Sequence, residues 1–339
     1  MDRAEFVILG AGAIGSILGA HLARAGHSVA MLARGDRARA VEREGLRIKG
    51  LVDLSVPVPV ISDHAQLRTA ETLIVAMKTP GTEAALARLA HVEVGAAFSI
   101  QNGVMKNELL ARVFGSDRVL GALADTSGEL LPSGEVLFTR NVNLPLGELA
   151  GGISERACRI ARTIDRAGVR STAVADIVSR EWSKFVVWLG LMSMSVTTRS
   201  VTWRYLADED CAWVLVRLVR EAAALARAQG VALTEGAAAL PVTSLIDLPE
   251  QDAIQIIRRI GEDMRRRAPD HRMSSLQDLE GGRPLEVEET FGYAVHRAAQ
   301  LGLPVPLLEA FYHMVAAIDH ARPGRPQPAQ DRLIVTEET

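Results

Sequence analysis

The sequence predicts an α/β protein, a doubly wound and mostly parallel sheet followed by an all-helical C-terminal domain. Three observations predict it. An apolar run of strand length, Ala4-Glu5-Phe6-Val7-Ile8-Leu9, meets a glycine-rich turn that opens a helical stretch ending near Ala25-Gly26. From there to Ala175, short apolar runs alternate with helical patterns, as βα units require. Beyond Ala175, strand-like runs become scarce and long helical patterns take over. A chain of 339 residues exceeds what one core usually holds. The expected division is 1–175, then 176–321, then a flexible tail over 322–339.

The first turn, Gly10-Ala11-Gly12-Ala13-Ile14-Gly15, lies between that strand and a second one, Ser28-Val29-Ala30-Met31-Leu32. This G-x-G-x-x-G placement is that of a Rossmann-like dinucleotide site. Gly10 allows the tight turn, Gly12 lets backbone approach a pyrophosphate, and Gly15 lets helix and strand pack closely. The free N–H groups over Ala13 and Ile14, at the positive end of the helix, are suited to receive phosphate. NAD sites usually place a carboxylate at the end of the second strand to accept from the ribose 2′-OH. Here that place holds Ala33 and then Arg34, with Arg37 and Arg39 close behind. A missing carboxylate and a guanidinium favour NADP(H). The same arginines also fit a solvated helix start.

The remaining elements follow in order. Asp36 to Gly45 reads as a short charged helix, and Leu46–Ile48 with Leu54–Val56 as a small hairpin turning near Gly50. Thr72–Met77 is a buried strand ending on Lys78-Thr79-Pro80-Gly81. Thr82–Leu89 is helical, and Ala96–Ile100 is a strand ending on Gln101-Asn102-Gly103. A helix over Asn107–Val113 and a strand over Val119–Leu123 come next. Two β segments, Val136–Thr139 and Asn143–Leu146, then precede a helix over Ser154–Ala167 and a strand over Val169–Val174. Asp176–Thr198, Asp208–Gln229, Glu250–Arg267, Glu286–Gln300 and Leu307–His320 read as the helices of the second domain.

Composition excludes several classes. Lys and Arg number 38 against 41 Asp and Glu, without the basic excess of a nucleic-acid binder. Cys158 and Cys211 have neither zinc spacing nor a disulfide framework, so no metal is expected and both read as buried thiols in a reducing compartment. The longest uncharged apolar run, Phe185–Val196, is too short for a membrane span and reads as a buried helix. The N-terminus runs directly into the first strand. Together these features predict a cytoplasmic protein without membrane or nucleic-acid partners.

Ligands of open α/β sheets bind outside the carboxyl ends of the strands. Lys78 and Asn102 stand there; each also fits a bland role, a loop lysine and a turn residue before Gly103. Lys184 lies among apolar residues in Trp182-Ser183-Lys184-Phe185. It either snorkels to solvent or faces an inter-domain cleft, where a neighbouring carboxylate would keep it a proton donor. Glu286 is the candidate carboxylate, and it fits equally a helix N-terminal acid. Ser274 fits a ligand role or an N-cap, with Gln277 completing a capping box.

In this order and spacing, these pieces resemble the ketopantoate reductase family over roughly residues 4–320. The resemblance rests on the glycine turn with Arg34, on Lys78, on Gln101-Asn102-Gly103 and on Trp182-Ser183-Lys184. It extends to Ser274-Ser275-Leu276-Gln277-Asp278 and Gly282-Arg283-Pro284-Leu285-Glu286. It implies NADPH-dependent reduction of a 2-oxo acid to an (R)-2-hydroxy acid. Lys184 would give a proton to the carbonyl oxygen, while Glu286 would orient the substrate hydroxyl and tune Lys184. Asn102 would help hold the lysine and the nicotinamide side, Ser274 would bind substrate, and Lys78 would sit near the cofactor ribose or the catalytic lysine. The resemblance leaves room for a homodimer.

The departures bear on substrate. The family's pantoate-forming members usually carry asparagine one and two turns after the catalytic lysine, where this chain has Trp188 and Met192. The asparagine three residues before the substrate serine is His271, and Leu285 replaces a common threonine. Trp188 and His271 therefore count among the expected substrate residues. A pocket that has lost amides predicts a bulkier or more apolar oxo acid than 2-dehydropantoate, unless polar groups elsewhere compensate. Two other readings stay open: a related dehydrogenase of a β-hydroxy acid or imine, and an NADP(H) sensor without turnover.

Overall fold

The computed structural model describes residues 3–322, so nearly all of the expected tail lies outside the described residues. Strand β1 (Arg3–Leu9) leads into helix α1 (Ala13–Arg24), β2 (Val29–Leu32), α2 (Gly35–Glu44), β3 (Leu46–Gly50), β4 (Leu54–Val56) and β5 (Val60–Ile61). There follow β6 (Thr69–Val75), α3 (Thr82–Ala87), β7 (Glu93–Ser99), α4 (Met105–Phe114) and β8 (Val119–Ala122). Then come β9 (Asp125–Leu130), β10 (Val136–Asn143), β11 (Pro145–Glu148), α5 (Glu155–Ala167) and β12 (Thr172–Ala173). The main sheet has the order β12-β11-β8-β7-β6-β1-β2-β5. Its strands pair in parallel apart from β11 against β8. Its central strands are buried on both faces, which is why they read as continuous apolar runs.

The expected hairpin is present, with Leu46 opposite Val56. It belongs to a second sheet, β4-β3-β10-β9, that the sequence did not announce. The two β segments expected around 136–146 are divided elsewhere, because β10 runs unbroken through Arg140 and Asn141. Bulges between Phe138 and Arg140, and between Asn141 and Asn143, break the alternation that marks a strand. Strand β9 is an edge strand whose only buried residue is Thr126, so it has no apolar run to reveal it. The strand expected over Val169–Val174 shrinks to two residues, since the Val169 N–H closes α5 by bonding to Ile164 O.

The second half is helical: α6 (Ile177–Thr198), α7 (Thr202–Ala207), α8 (Glu209–Ala228), α9 (Val242–Asp247), α10 (Glu250–Arg267) and α11 (Ser274–Glu280). A π-helical turn (Glu288–Gly292), α12 (Tyr293–Gln300) and α13 (Pro306–His320) complete it. Helix α6 is buried almost throughout and lies at the centre of this core, against α8 and α13. No helix among the described residues is long and apolar enough to cross a membrane. Both cysteines are free and half-buried rather than fully buried, and burial pushes the Cys211 thiol up to about 11.

Two expectations at helix starts are corrected. The helix expected from Glu286 begins later, because the Gly292 N–H reaches five residues back to Val287 O, and the Thr290 hydroxyl takes the Glu286 carbonyl. The capping box at Ser274 does not form. Met273 is the N-cap, Ser274 is the first helical residue, and the Gln277 amide donates instead to Arg272 O.

Candidate active site

At the nucleotide end, the glycine turn has the expected geometry. Gly10 has φ of 110°, and a Cβ there would lie 2.6 Å from the Met77 nitrogen. A Cβ on Gly15 would lie 2.1 Å from Gly10 O, whereas one on Gly12 would meet nothing nearer than Ala76 O at 3.9 Å. Gly12 is thus the open face of the turn. It is also the N-cap of α1, and no side chain caps that helix, so the N–H groups over Ala13, Ile14 and Gly15 are suited to a phosphate.

Arg34 is the N-cap of α2 at the end of β2 and is exposed, and its guanidinium has no ion pair or hydrogen bond among the described residues. Arg39 pairs with Asp36. Arg37 has a different task. Its Nε donates to Ala11 O at 2.8 Å, its Nη2 to Ser16 Oγ at 2.9 Å and its Nη1 to Gly134 O at 2.8 Å. Of the three arginines, only Arg34 has a guanidinium unengaged for a 2′-phosphate.

The ends of β7 and β8 face α6 across a small cleft, lined by Asn102, Lys106, Leu123, Lys184 and Trp188 among others. Lys184 therefore faces the cleft and does not snorkel outward. Its Nζ donates to Ala124 O at 2.8 Å. Burial and the neighbouring Lys106 ammonium pull its pKa down to about 8, against the opposing influence of Asp125, Glu286 and Glu181. An ammonium of that acidity is suited to proton donation near neutral pH.

Glu286 reaches in from the helical half. Its Oε1 accepts from the Thr79 backbone N–H at 3.1 Å and its Oε2 from Asn102 Nδ2 at 3.0 Å. The expectation that Asn102 holds the lysine is therefore corrected. Asn102 holds Glu286, Ala124 holds Lys184, and the carboxylate acts on the lysine through its charge. Glu289 lies beside this pair, taking a 3.4 Å bond from Thr79 Oγ1; burial, followed by the Glu286 charge, pushes its carboxyl up.

Lys78 bonds Asp278 Oδ2 at 2.6 Å, and Asp278 Oδ1 accepts from Arg283 Nε at 2.8 Å. Ser274 lies one turn before Asp278 on α11 and is exposed. His271 is exposed too, bonded to Thr202 through Nδ1 at 2.9 Å. Among the described residues neither has a hydrogen bond to Lys184, Asn102 or Trp188. Trp188 lines the cleft, while Met192 is fully buried in the helical core, so of the two positions only 188 borders the cleft.

Sequence reasoning passed over Asp278, Lys106 and Glu181 as site residues. The Lys106–Glu181 pair could have been suspected from its spacing alone, Lys106 lying one turn past Asn102 and Glu181 one turn before Lys184. No cluster of metal-ligating side chains occurs among the described residues.

A dinucleotide turn facing a helical half that lends a buried lysine and a carboxylate defines a nicotinamide-type dehydrogenase or reductase. Comparison with known proteins narrows the class. The ketopantoate reductase PanE/ApbA family matches residues 6–151, and its C-terminal counterpart matches residues 176–319. A 2-dehydropantoate 2-reductase of Archaeoglobus fulgidus is 29% identical over 312 residues, spanning 92% of this chain and 97% of that protein. The PanE/ApbA family ketopantoate reductase of Ralstonia eutropha superposes with a TM-score of 0.78 at 26% identity, covering 94% and 98% of the two chains. D-mandelate dehydrogenase, solved with NADH, shares the fold alone, with a TM-score of 0.78 at 16% identity over 94% of this chain and 99% of that one. The chain belongs to the ketopantoate reductase family and is an oxidoreductase acting on CH–OH groups.

Proposed function

We propose that the protein is an NADPH-dependent reductase of a 2-oxo acid, with a pocket altered toward a bulkier or more apolar substrate than 2-dehydropantoate. The observation that carries this reading is the placement of Lys184. It stands at the strand ends in a cleft beside Asn102, fixed by Ala124 O and flanked by the indole of Trp188. The bound cofactor would supply a hydride to the carbonyl carbon. Lys184 gives its proton to the carbonyl oxygen, so developing alkoxide charge meets a cation inside a narrow cleft. Glu286, pinned by Thr79 and Asn102, presents a fixed negative charge that orients a substrate hydroxyl and favours the ammonium. Arg34 is the residue that would select the 2′-phosphate. His271 and Ser274 belong to this reading as substrate groups on the helical side.

The test is NADPH consumption with 2-dehydropantoate beside branched and aromatic 2-oxo acids. Turnover of the bulkier acids, with 2-dehydropantoate poor, is the expected result. Brisk turnover of 2-dehydropantoate would overturn the altered pocket, and silence across the panel with NADPH bound would overturn the reaction.

The same reading divides the chain into a nucleotide-binding unit over 1–175 and a substrate unit over 176–321, and places it in the cytoplasm. It also includes a homodimer. Trp213, Leu248, Leu301 and Met314 are exposed on the helical half and supply apolar area for one. Light scattering that returns the mass of a single chain would remove the dimer.

A further inference from the structure

Beneath the cleft lies a buried ion pair that the reaction outlined above does not use. Lys106, in the first turn of α4, is 4% exposed at its side chain, and Glu181 on α6 is 3% exposed; Nζ and Oε1 are 3.2 Å apart. Lys106 Nζ also donates to Gln101 O at 2.9 Å and to Ala122 O at 2.6 Å. Two of the three ammonium protons are thus given to carbonyls, with the Glu181 carboxylate beside them as counter-charge. Glu181 is equally engaged. Its Oε1 accepts from the Ala122 N–H at 2.9 Å and its Oε2 from Asn107 Nδ2 at 2.6 Å.

The partners are informative. Gln101 precedes Asn102, which holds Glu286, and Ala122 ends the strand that runs on to Ala124, which holds Lys184. Glu181 stands three residues before Lys184 on one face of α6. One ionic knot thus ties the ends of β7 and β8 to α4 and to the helix that bears the lysine.

We propose that Lys106, paired with Glu181, is a positioning residue for carbonyl reduction: the pair fixes the carbonyl that seats Lys184 and the turn that bears Asn102. The inference rests on the function proposed above and adds to it a residue pair that acts through Lys184 and Asn102. A purely structural pair would explain the burial. It would not explain why both charges border the cleft, with the lysine of the pair facing a second lysine.

The charges around Lys184 make the proposal measurable. Lys106 on α4 disfavours its ammonium, whereas Asp125 on β9, Glu286 ahead of the π turn and Glu181 on α6 favour it. Lys106 outweighs Glu181 in this balance. The two variants below therefore shift Lys184 in opposite directions. Removing both charges, in the double variant Lys106→Met with Glu181→Gln, raises the pKa of Lys184. Removing only the carboxylate, in Glu181→Gln, lowers it.

The experiment follows the pH dependence of acetic anhydride labelling at Lys184, read by peptide mass spectrometry on the full-length chain, with thermal melts to establish that both variants are folded. This readout needs no substrate, so its failure is distinct from a failure of the proposed reaction. The expected result is a midpoint above wild type for the double variant and below wild type for Glu181→Gln. The kcat of the double variant falls on the order of 10- to 100-fold, as a displaced catalytic group predicts, while its NADPH affinity is kept. Midpoints that coincide with wild type in two folded variants would overturn the proposal. So would a kcat that drops only in step with the folded fraction.

Discussion

Lys78 and Asp278 are 200 residues apart in sequence and 2.6 Å apart in space. One ends a strand of the nucleotide-binding sheet, and the other lies in a short helix of the second half. Lys78 is about half exposed at its side chain and Asp278 is nearly buried. Water therefore screens the pair, and it contributes less than about 1 kcal/mol to stability. Its consequence is registration of the two halves across the cleft. Lys78→Met is expected to leave the thermal midpoint nearly unchanged while lowering kcat/KM. Asp278→Ala is expected to do more, because Arg283 also loses its acceptor. Paired melts and steady-state kinetics check both.

Removal of the proposed proton donor is the sharpest test of the chemistry. Lys184→Ala is expected to lower kcat by roughly 10²- to 10⁴-fold, the usual contribution of a positioned acid. Fluorescence titration should show NADPH binding retained, since the glycine turn lies on the other half. Full activity in this variant would remove Lys184 as the proton donor.

The pH dependence has a definite sign. Reduction needs the protonated lysine, whose pKa is pulled down to about 8. The kcat/KM for reduction is therefore expected to hold below pH 8 and fall as pH rises through it. Oxidation of the hydroxy acid needs the neutral amine and should rise over the same interval. Profiles in both directions measured with one enzyme preparation check this.

Cofactor choice is assigned to a single side chain. Arg34→Ala removes the only unengaged guanidinium of the three at the end of β2. A charge-assisted hydrogen bond is worth about 1.5–3 kcal/mol, so the preference for NADPH over NADH should fall roughly ten- to hundredfold. Arg37→Ala should weaken both cofactors alike, because it loosens the turn that both would use.

The pocket departure can be reversed. Trp188→Asn restores an amide at a residue that lines the cleft. It is expected to raise kcat/KM for 2-dehydropantoate on the order of tenfold or more and to lower it for aromatic 2-oxo acids. Trp188 is 6% exposed, so truncation costs up to about 3–5 kcal/mol, and the kinetics are read below the thermal midpoint of the variant.

The order of elements was legible wherever local pattern carries it. The glycine turn, the buried strands and helices such as α8 and α10 follow from periodicity and caps, and Asp208 does cap α8 through the Cys211 N–H. Asn102 was legible at a strand end, while the sequence left open whether Lys184 snorkels outward and whether Trp188 faces the pocket or the core; the structure places both at the cleft. The second sheet was not legible, since β9 is polar and β10 is bulged. Nor was the partner of each charged group. That Asn102 holds Glu286, or that Lys78 holds Asp278, depends on docking between the halves, which no local pattern encodes. Met192 shows the opposite limit: its spacing from Lys184 suggested the pocket, but the turn of α6 carries it into the core.

Arg37 joins the glycine turn to Ser16 at the start of α1 and to Gly134 in the loop between β9 and β10. The nucleotide cradle is thereby braced from outside before any nucleotide arrives. A cradle already ordered gives up little chain entropy on binding, so more of the contact energy with the pyrophosphate becomes affinity. The opposite wall is held to the same strand ends through Glu286 and Asp278, so both sides of the cleft are tied to one sheet.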